Sequence, residues 1–541
     1  MSLSLQARGL RKVFNRRVIF DQVGFEIREG QTLLVTGRNG SGKSTLVKIV
    51  SRVLTPSAGT FSLTMNGTSV SELHWSGAIG LVSPYLQLYD EFSARENLLL
   101  AMTMRGCRAD KGRIETLLQK VALVSRADDP VRTFSSGMKQ RVKYAFALVH
   151  QPPVLILDEP MANLDGEGVA LVRRLMDDQR RSGLLIVATN DLTDVASYDL
   201  RVDLHYGSGD EPLSPDPRYE GLPKTAGVTP EAGQPRHAID PRIAGDPLTA
   251  EDPRNGGHSR IGGQSMNAAE AATGEQEGSI EPAAAPGEQG GAKGRSRTVD
   301  AGKQQGGEAR VHSRESGAGP WVRSVGAIFR KDWESELRTR YAISALLMFV
   351  VTTISIILFS LGSEGARAEV LSGMLWVVIF FSAMSGLSRT FVMEEERGTS
   401  MTLQLVARPS AVYFGKLLFN LVLVTGLDVL TVGLYALFIN GFVIKTASIF
   451  ILAVGLGGVG FAAASTIIAA IIARASTKGT LYPVLSFPIL LPLLLTVINA
   501  TRLASDGAFL EEAYGEFQIL ISYIVVVTAV SILVFDYVWK D

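Results

Sequence analysis

Residues 37–44 read Gly-Arg-Asn-Gly-Ser-Gly-Lys-Ser and match the spacing G-x-x-x-x-G-K-[ST]. Glycines at this spacing let backbone N–H groups face phosphate oxygens, and a helix that follows adds the positive end of its dipole. We expect the Lys43 ammonium to reach the β- and γ-phosphates of ATP, and the Ser44 hydroxyl to reach Mg²⁺. The residues expected to hold ATP in this loop are Gly37, Arg38, Asn39, Gly40, Ser41, Gly42, Lys43, Ser44 and Thr45.

A second set of reactive residues ends an apolar run, residues 154–157, which is followed by Asp158 and Glu159. An apolar strand that delivers an acid beside a phosphate-binding loop suits Mg²⁺ coordination, so Asp158 is expected to bind the metal together with Ser44. Glu159 is then placed to orient or deprotonate an attacking water, and we assign it as the catalytic base.

Three β-rich runs position these residues: QTLLVTG, VLILDEP and LLIVATN. Each is followed by a loop and a helix-like segment. This alternation over residues 1–206 predicts an α/β domain with a largely parallel sheet.

Residues 134–141, FSSGMKQR, lie between the two sets and resemble the LSGGQ signature of the ABC-transporter ATPase family. Ser135 and Gly137 match the signature, whereas Ser136 and Met138 replace a glycine and the glutamine. The resemblance covers essentially all of residues 1–206. It implies that Ser135, Ser136 and Gly137 bind the γ-phosphate of ATP held by the phosphate loop of a second subunit, so that two copies form a homodimer.

Two positions depart from the family pattern. Pro84 stands where the family's Q-loop has glutamine, and Gln87, three residues later, is retained as a candidate ATP contact. Asn190 stands at the position of the switch histidine. Its amide can contact the γ-phosphate but carries no imidazole for proton transfer. We assign Asn190 a catalytic role and expect slow but real hydrolysis, because Lys43, Asp158 and Glu159 are intact.

The resemblance also places Phe14 where an aromatic side chain commonly stacks on adenine, and residues 162–165 at the family's D-loop. The alternative for Phe14 is a core residue at a strand edge.

The chain has 541 residues with 53 basic and 53 acidic side chains, but its composition is uneven. Residues 1–206 hold 26 basic and 21 acidic residues. Residues 207–320 hold 21 of the 54 glycines and 12 of the 22 prolines, with Tyr219 their only aromatic residue. This composition predicts a disordered linker.

The balanced net charge of the whole chain predicts no nucleic-acid partner. A single cysteine, Cys107, excludes an internal disulfide framework.

Residues 321–541 contain six apolar segments of membrane-spanning length. They lie at about 341–361, 370–390, 417–439, 449–472, 480–499 and 519–538. Basic residues concentrate on the flanks that lie on the side of the N-terminal domain, which predicts cytoplasmic N- and C-termini. The first residues contain no signal-like apolar core. We therefore expect a multi-pass protein of the bacterial cytoplasmic (inner) membrane, its six helices surrounded by the lipid bilayer.

The membrane half carries three further patterns. Residues 328–337 predict an amphipathic interfacial helix before the first span. Prolines 483, 488 and 492 predict a broken or kinked fifth span. The loop with Glu394, Gly398 and Thr399, followed by Pro409 and by Gly415-Lys416, resembles the E-x-x-x-G-T/S … P … G-K pattern of ABC-2-type permeases. That resemblance implies a coupling helix docked on the ATPase.

Together with spans 2 and 3, the fifth span is similar to the haem-exporter permease of the cytochrome c maturation system. The resemblance covers about residues 325–541. It implies a fused ATPase and permease that exports haem or releases a haem chaperone, with other maturation subunits as candidate partners. Two alternatives stay open: an ABC-2 exporter of a drug, lipid or polysaccharide, and a mechanical ATPase that releases a partner without transport.

Two observations bear on these alternatives. All six histidines precede residue 321, so the membrane half cannot hold haem through an axial imidazole of its own. Asp428 is the one ionisable residue deep inside a predicted span. It is either functional or a member of an interhelical hydrogen bond.

Overall fold

The structure is a computed structural model that describes residues 2–75, 77–204, 318–361, 367–387, 389–439, 441–474 and 478–540. The N-terminal part holds a parallel five-stranded sheet in the order β6-β7-β8-β3-β9. Its strands are β3 (Thr32–Thr36), β6 (Ile79–Val82), β7 (Val154–Asp158), β8 (Leu184–Ala188) and β9 (Leu200–Asp203). The three β-rich runs of the sequence are β3, β7 and β8, and the predicted α/β fold is confirmed.

Every residue of β3, β6, β7 and β8 is buried. Continuous apolar runs of this kind are typical of parallel strands that are covered on both faces. The described residues of this half form six α-helices: α1 (Lys43–Val50), α2 (Glu72–Trp75), α3 (Ala94–Met104), α4 (Lys111–Lys120), α5 (Ser136–Leu148) and α6 (Gly166–Ser182). Helices α1, α5 and α6 pack against the sheet.

A separate antiparallel sheet has the order β2-β1-β4-β5. Its strands are β1 (Leu3–Phe14), β2 (Arg17–Arg28), β4 (Ala58–Met65) and β5 (Thr68–Ser69). Along β1 the buried residues alternate with more exposed ones, as expected for a sheet with one face on the core.

The predicted linker, residues 207–320, lies almost entirely outside the described residues. Its last three residues are an exception, because helix α7 (Ala318–Thr339) begins at residue 318. The helix thus begins three residues before the predicted boundary at residue 320. The sequence places Pro320 and Trp321 in the first turn of this helix, and proline is well tolerated there because the first N–H groups of a helix have no partner within it.

Eight further helices follow in the described part of the membrane half. They are α8 (Tyr341–Leu361), α9 (Ala368–Leu387), α10 (Arg389–Glu396), α11 (Ser400–Val406), α12 (Pro409–Phe438), α13 (Ala447–Ala473), α14 (Lys478–Asp506) and α15 (Tyr514–Lys540). Within the described residues, six stretches are long and apolar enough to cross a membrane, as predicted. They run over Ile343–Leu361, Ala368–Glu396, Pro409–Phe438, Ala447–Ala473, Leu485–Asp506 and Tyr514–Trp539.

Helix α13 is the centre of this bundle, and its glycines let the neighbouring helices approach closely. A Cβ on Gly457 would lie 2.5 Å from the Trp376 ring, and one on Gly460 would lie 2.7 Å from the Leu493 side chain. Small residues serve this purpose at helix interfaces in membranes. The Trp376 indole also donates a hydrogen bond of 2.7 Å to Thr501, which fixes α9 against α14.

The expected break in the fifth span is wrong. Helix α14 continues through Pro488 and Pro492 as one helix. Neighbouring groups hydrogen-bond carbonyls of this stretch: Tyr523 on α15 donates to the Ile489 carbonyl at 2.9 Å, and Thr496 donates to the Pro492 carbonyl at 2.9 Å.

Helix α7 is the predicted amphipathic helix, but it is buried among protein elements along one face. Lys331 and Asp332 on α7 meet Glu394 on α10 and Lys416 on α12 in a buried ion cluster. Lys416 lies 2.9 Å from Glu394 and 3.2 Å from Asp332, and Lys331 lies 2.6 Å from Asp332 and also pairs with Glu394. We call these four residues the ion cluster. It ties the three helices together.

Packing between α7 and α12 gives a test of this arrangement. A Cβ on Gly415 would lie 2.8 Å from the Ile328 side chain and 3.1 Å from the Val325 carbonyl oxygen. We expect Gly415→Ala to destabilise the protein by about 1–3 kcal/mol, since the two helices must move apart. The measurement is the thermal unfolding midpoint of the purified protein in detergent.

Gly426 on the same helix is the matched control, because a Cβ there would meet no atom within 4 Å. Gly426→Ala should leave the midpoint unchanged. Equal midpoints for the two variants would contradict the close contact of α7 with α12.

Candidate functional site

The carboxyl ends of four neighbouring strands bring the candidate residues to one edge of the parallel sheet. The glycine-rich loop follows β3, Asp158 and Glu159 end β7, and Asn190 follows β8. Ser83 follows β6 in the same position. Crevices at this edge are the usual ligand sites of open parallel sheets.

Three glycines shape the loop. Gly37, Gly40 and Gly42 have φ values of 147°, 83° and 101°, which L side chains rarely adopt. At Gly37 a Cβ would also lie 2.5 Å from the Leu204 carbonyl oxygen. Helix α1 begins directly after the loop at Lys43, so the first N–H groups of the helix face the site. This is the arrangement expected for phosphate binding.

Lys43 is buried and held by acceptors at the place where phosphates are expected. Its ammonium donates to the Gly37 carbonyl at 2.7 Å, to the Arg38 carbonyl at 3.2 Å and to the Asn190 side-chain oxygen. The Asn190 amide in turn donates to the side-chain oxygen of Asn39. Burial lowers the pKa of Lys43, and the carboxylates of Glu159 and Asp158 offset part of that effect. Asn190 therefore belongs to the same cluster as the loop.

Asp158 is 1% exposed and accepts a hydrogen bond of 3.1 Å from the Ser83 hydroxyl through its Oδ2 atom. Its Oδ1 atom is buried and has no hydrogen-bond partner among the described residues. Burial raises the pKa of Asp158, and the hydroxyls of Ser44 and Ser83 offset part of this rise. A carboxylate oxygen without a partner beside a serine hydroxyl is a donor set that fits Mg²⁺.

Glu159 is exposed and has a φ of 50°. Its N–H donates to the Ala188 carbonyl of β8 at 2.8 Å, which fixes the backbone in this unusual conformation. Residues held in sparsely populated backbone regions are found most often at functional sites. The side chain is thus presented to solvent next to Asp158.

The signature residues begin helix α5. Ser135 is the N-cap of this helix and accepts a hydrogen bond of 3.3 Å from the N–H of Met138. Ser135 and Ser136 are exposed, whereas a Cβ on Gly137 would lie 3.1 Å from the Asn163 carbonyl. Arg141 on α5 pairs with Asp165 at 2.9 Å. These contacts fix the signature segment to residues 162–165, while its serines face outward.

Phe14 and Gln87 lie in contrasting surroundings. Phe14 ends β1 and is 42% exposed, with the Lys12 ammonium 4.8 Å from the ring centre, so the alternative of a core residue is wrong.

Gln87 lies against the membrane half. Its carbonyl accepts a hydrogen bond from Thr402, and its side chain lies 3.1 Å from the Cβ position of Gly398. The structure thus places Gln87 against residues 394–402, the region predicted to hold the coupling helix, which we call the coupling segment.

Salt bridges connect the ATPase to the membrane half around this contact. Arg338 on α7 pairs with Glu96 on α3 at 2.6 Å and donates to the Glu91 carbonyl at 2.7 Å. Arg397 pairs with the Glu91 carboxylate at 2.6 Å. The Lys331 ammonium of the ion cluster lies 4.8 Å from the Tyr89 ring centre. Residues 87–96 therefore receive contacts from α7 and from the coupling segment.

Asp428 is 2% exposed on α12, and its Oδ2 atom lies 2.8 Å from the Cβ position of Gly458. Its Oδ1 atom has no hydrogen-bond partner in the part of the chain that the structure describes. An interhelical hydrogen bond to a serine, threonine or asparagine, one of the two alternatives for this residue, is not among its described contacts. Gly458 is the residue that makes room for the carboxyl group.

Fold and site together define a class: a nucleotide-binding P-loop domain joined by ion pairs to a multi-pass membrane domain. Residues 20–162 match the profile of the ABC transporter family, and residues 323–537 match the profile of the CcmB protein family. The chain is 33% identical over 204 residues to the cytochrome c biogenesis ATP-binding export protein CcmA of Rhodopseudomonas palustris. That alignment covers 37% of this chain and 97% of CcmA.

Other curated relatives are equally similar. The lipoprotein-releasing system ATP-binding protein LolD 1 of Caulobacter vibrioides is 33% identical over 207 residues, which cover 35% of this chain and 88% of LolD 1. The linearmycin resistance ATP-binding protein LnrL of Bacillus subtilis is 30% identical over 190 residues. That match covers 34% of this chain and only 60% of the length of LnrL.

Among solved structures, the dimeric ATP-binding cassette MJ0796 bound to ADP and Pi aligns with a TM-score of 0.34 and 22% identity. The alignment covers 38% of this chain and 95% of the cassette.

The chain belongs to the ABC transporter family, as an ABC ATPase fused to a CcmB-type membrane domain. It is an ATPase whose hydrolysis is coupled to transport.

The residues Ser83 and Lys143 contact the site without having been identified from the sequence. Ser83 directly follows a strand that neighbours the strand of Asp158, and this adjacency is the signal that could have identified it. Lys143 is a buried lysine in α5, and its ammonium lies 3.3 Å from the Pro84 carbonyl. The signal that could have identified Lys143 is the presence of a lysine on the apolar face of a helix.

Asn190 gives a direct test of the site. Asn190→Ala removes the side-chain acceptor of the Lys43 ammonium and the expected contact with the γ-phosphate. We expect turnover at saturating ATP to fall about 100-fold, which is the usual loss for one preorganised polar contact in a transition state. The measurement is steady-state phosphate release by the purified protein.

Thr193→Ala is the control, because Thr193 is exposed and contacts Asp191 rather than Lys43. Turnover of this variant should stay at the wild-type level. A wild-type rate in Asn190→Ala would contradict the assigned role of Asn190.

Proposed function

We propose that this chain is the ATPase-plus-permease component of a cytochrome c biogenesis system, where it exports haem or releases haem from a chaperone. The observation that carries the proposal is the CcmB family match over residues 323–537 on a chain whose other half is similar to CcmA. All six histidines lie before residue 321, so the membrane half has no imidazole for axial ligation. This favours the release of haem from a partner over tight binding in the bundle.

The second candidate is export of another substrate, such as a drug, a lipid or a polysaccharide. It is supported by the similarity of the ATPase half to a linearmycin resistance protein and to the lantibiotic transport protein SrtF of Streptococcus pyogenes. SrtF is 32% identical over 188 residues, which is the same level as CcmA. The membrane half, rather than the ATPase, therefore carries the choice between the two functions.

The ATP site is proposed to form between two copies of the chain. Residues 37–45 hold the phosphates of ATP, and Phe14 stacks on adenine. Ser135, Ser136 and Gly137 approach the γ-phosphate from the second copy. The exposure of both serines at the start of α5 supports this, because within one copy they are free for such a contact. Glu159 accepts the proton of the attacking water, and Asn190 orients the γ-phosphate.

Ser44 and Asp158 are the residues that would hold Mg²⁺. The metal would supply charge neutralisation on the phosphate oxygens when bound.

We propose the bacterial inner membrane as the location, with both termini in the cytoplasm. The excess of Lys and Arg on the flanks facing the ATPase supports this orientation. Other maturation subunits are the expected partners.

The catalytic base is tested by Glu159→Gln. The amide keeps the size of the side chain but cannot accept a proton, so hydrolysis should fall at least about 100-fold while ATP binding persists. With ATP and Mg²⁺ the variant should form a stable dimer in size-exclusion chromatography with light scattering. Glu167→Gln, on an exposed position of α6, is the control and should hydrolyse normally. Hydrolysis by Glu159→Gln at the wild-type rate would overturn the assignment.

The cellular role is tested by deletion of the coding region in the source bacterium. Covalently bound haem in c-type cytochromes should be lost, as measured by haem staining of membrane proteins after denaturing electrophoresis. The wild-type chain should restore the cytochromes, and Lys43→Ala should not, because it removes the phosphate-binding ammonium. Normal c-type cytochromes in the deletion strain would exclude the maturation role and favour export of another substrate.

A further inference from the structure

Ser83 and Lys143 form a connection that the ABC pattern does not contain. The Ser83 hydroxyl donates to Asp158 Oδ2 at 3.1 Å. The Lys143 ammonium lies 3.4 Å from the Ser83 carbonyl oxygen and 3.3 Å from that of Pro84. Ser83 is 1% exposed and Lys143 is 8% exposed, so water competes little with these contacts. We call the path from Lys143 through Ser83 to Asp158 the brace.

The brace lies beside Pro84, where the chain lacks the polar side chain of the Q-loop glutamine. Pro84 occupies the position of the Q-loop glutamine and has neither a side-chain polar group nor a backbone N–H. Gln87, the nearest glutamine, lies instead against Gly398 and Thr402. Thus the polar connection between this loop and the acidic end of β7 comes from the residue before the proline.

Helix α5 holds the same loop at two points. Lys139 and Lys143 are four residues apart and so lie on one face of the helix. Lys139 pairs with Asp90 at 3.1 Å, and Lys143 reaches the carbonyls of Ser83 and Pro84. The loop between these points includes Gln87, which contacts the membrane half. The signature helix, the acidic strand end and the coupling contact are therefore joined through one short segment.

We infer that Ser83 and Lys143 are positioning residues that orient the Asp158 carboxylate for Mg²⁺ and link it to the signature helix, in place of the missing glutamine. The inference rests on the proposed role of Asp158 as a metal ligand. With one oxygen held by Ser83, the carboxylate presents Oδ1, the atom without a partner among the described residues. Outer partners that fix a ligating carboxylate in this way commonly change metal affinity by 10–100-fold.

The ammonium of Lys143 is suited to holding the carbonyl oxygens of Ser83 and Pro84 against α5. Burial lowers its pKa to about 8, and the neighbouring Lys139 charge adds to the effect. It remains protonated at neutral pH, and a buried cation among carbonyl oxygens requires those acceptors. The two carbonyls are thus held against α5, and the position of Ser83 follows from them.

The test uses the full-length protein in the Glu159→Gln background, where ATP stays bound. Mn²⁺ replaces Mg²⁺ as the probe, and its affinity for the ATP-bound protein is measured by electron paramagnetic resonance. Ser83→Ala and Lys143→Met should each weaken Mn²⁺ binding about 10-fold or more. The double variant should be little weaker than either single one, since both act on one path. ATP binding without metal should stay unchanged.

Conservative variants separate positioning from folding. Lys143→Arg and Ser83→Thr keep the donor groups and should restore Mn²⁺ affinity to within about 3-fold of the parent, a difference below 1 kcal/mol. Lys120→Met, an exposed lysine of α4 paired with Asp178, is the matched control and should bind Mn²⁺ like the parent.

The outcomes are distinct. Wild-type Mn²⁺ affinity in both Ser83→Ala and Lys143→Met would overturn the brace while leaving the proposed ATP site intact. Additive losses in the double variant would also overturn it, because the two residues would then act independently. If Asp158→Asn does not weaken Mn²⁺ binding, the proposed metal ligand itself is wrong, and the failure belongs to the proposed function.

Discussion

The ion cluster is the interaction on which the junction between the two halves depends. Glu394 receives Lys331 from α7 and Lys416 from α12, and all three side chains are at most 5% exposed. Buried charges are costly to desolvate, and removal of one partner typically costs about 3–5 kcal/mol because the other charge is left uncompensated. The three helices therefore keep one relative arrangement, and that arrangement presents Arg338 and Arg397 to the ATPase.

From this junction a continuous set of contacts runs to the nucleotide site. Arg397 binds Glu91, Thr402 binds the Gln87 carbonyl, and the same loop begins at Ser83 beside Asp158. These contacts are a charged pair, a hydrogen bond to a backbone carbonyl and a hydroxyl–carboxylate hydrogen bond. The loop is therefore held at one end by the membrane half and at the other by Asp158. This gives the coupling of hydrolysis to the membrane helices a physical basis in one segment of about ten residues.

Much of this architecture could be predicted from the sequence, because its strongest signals are local. The glycine spacing of residues 37–44, the apolar runs of β3, β7 and β8 and the six apolar spans each report on one continuous segment. The start of α7 and the unbroken α14 could not be predicted. The start of α7 lies against the ATPase half, where Arg323 donates to the Gly106 carbonyl, and this contact leaves no local signal in the sequence. The prolines of α14 lie within one continuous helix, although proline in isolation favours a break.

The candidate site also has a part that could be predicted from the sequence and a part that could not. The proximity of Lys43, Asp158 and Asn190 could be predicted from the phosphate-loop motif and the family resemblance, and the observed strand order explains it. Their roles stay predictions until tested. The position of Gln87 could not be predicted, since the displacement of the glutamine by three residues turns it toward the membrane half. Ser83 and Lys143 meet only after α5 packs on β6, a contact that leaves no trace in local spacing.

Gly398 carries a consequence for how such a chain can be rearranged. Its φ of 69° and the Gln87 side chain at 3.1 Å from its Cβ position mean that the permease residue and the ATPase residue share one small space. Any side chain at position 398 would require both a left-handed backbone and a shift of Gln87, so only a glycine there fits this ATPase surface without movement. A permease half from another protein that carries a larger residue at this position would therefore not dock on this ATPase unchanged.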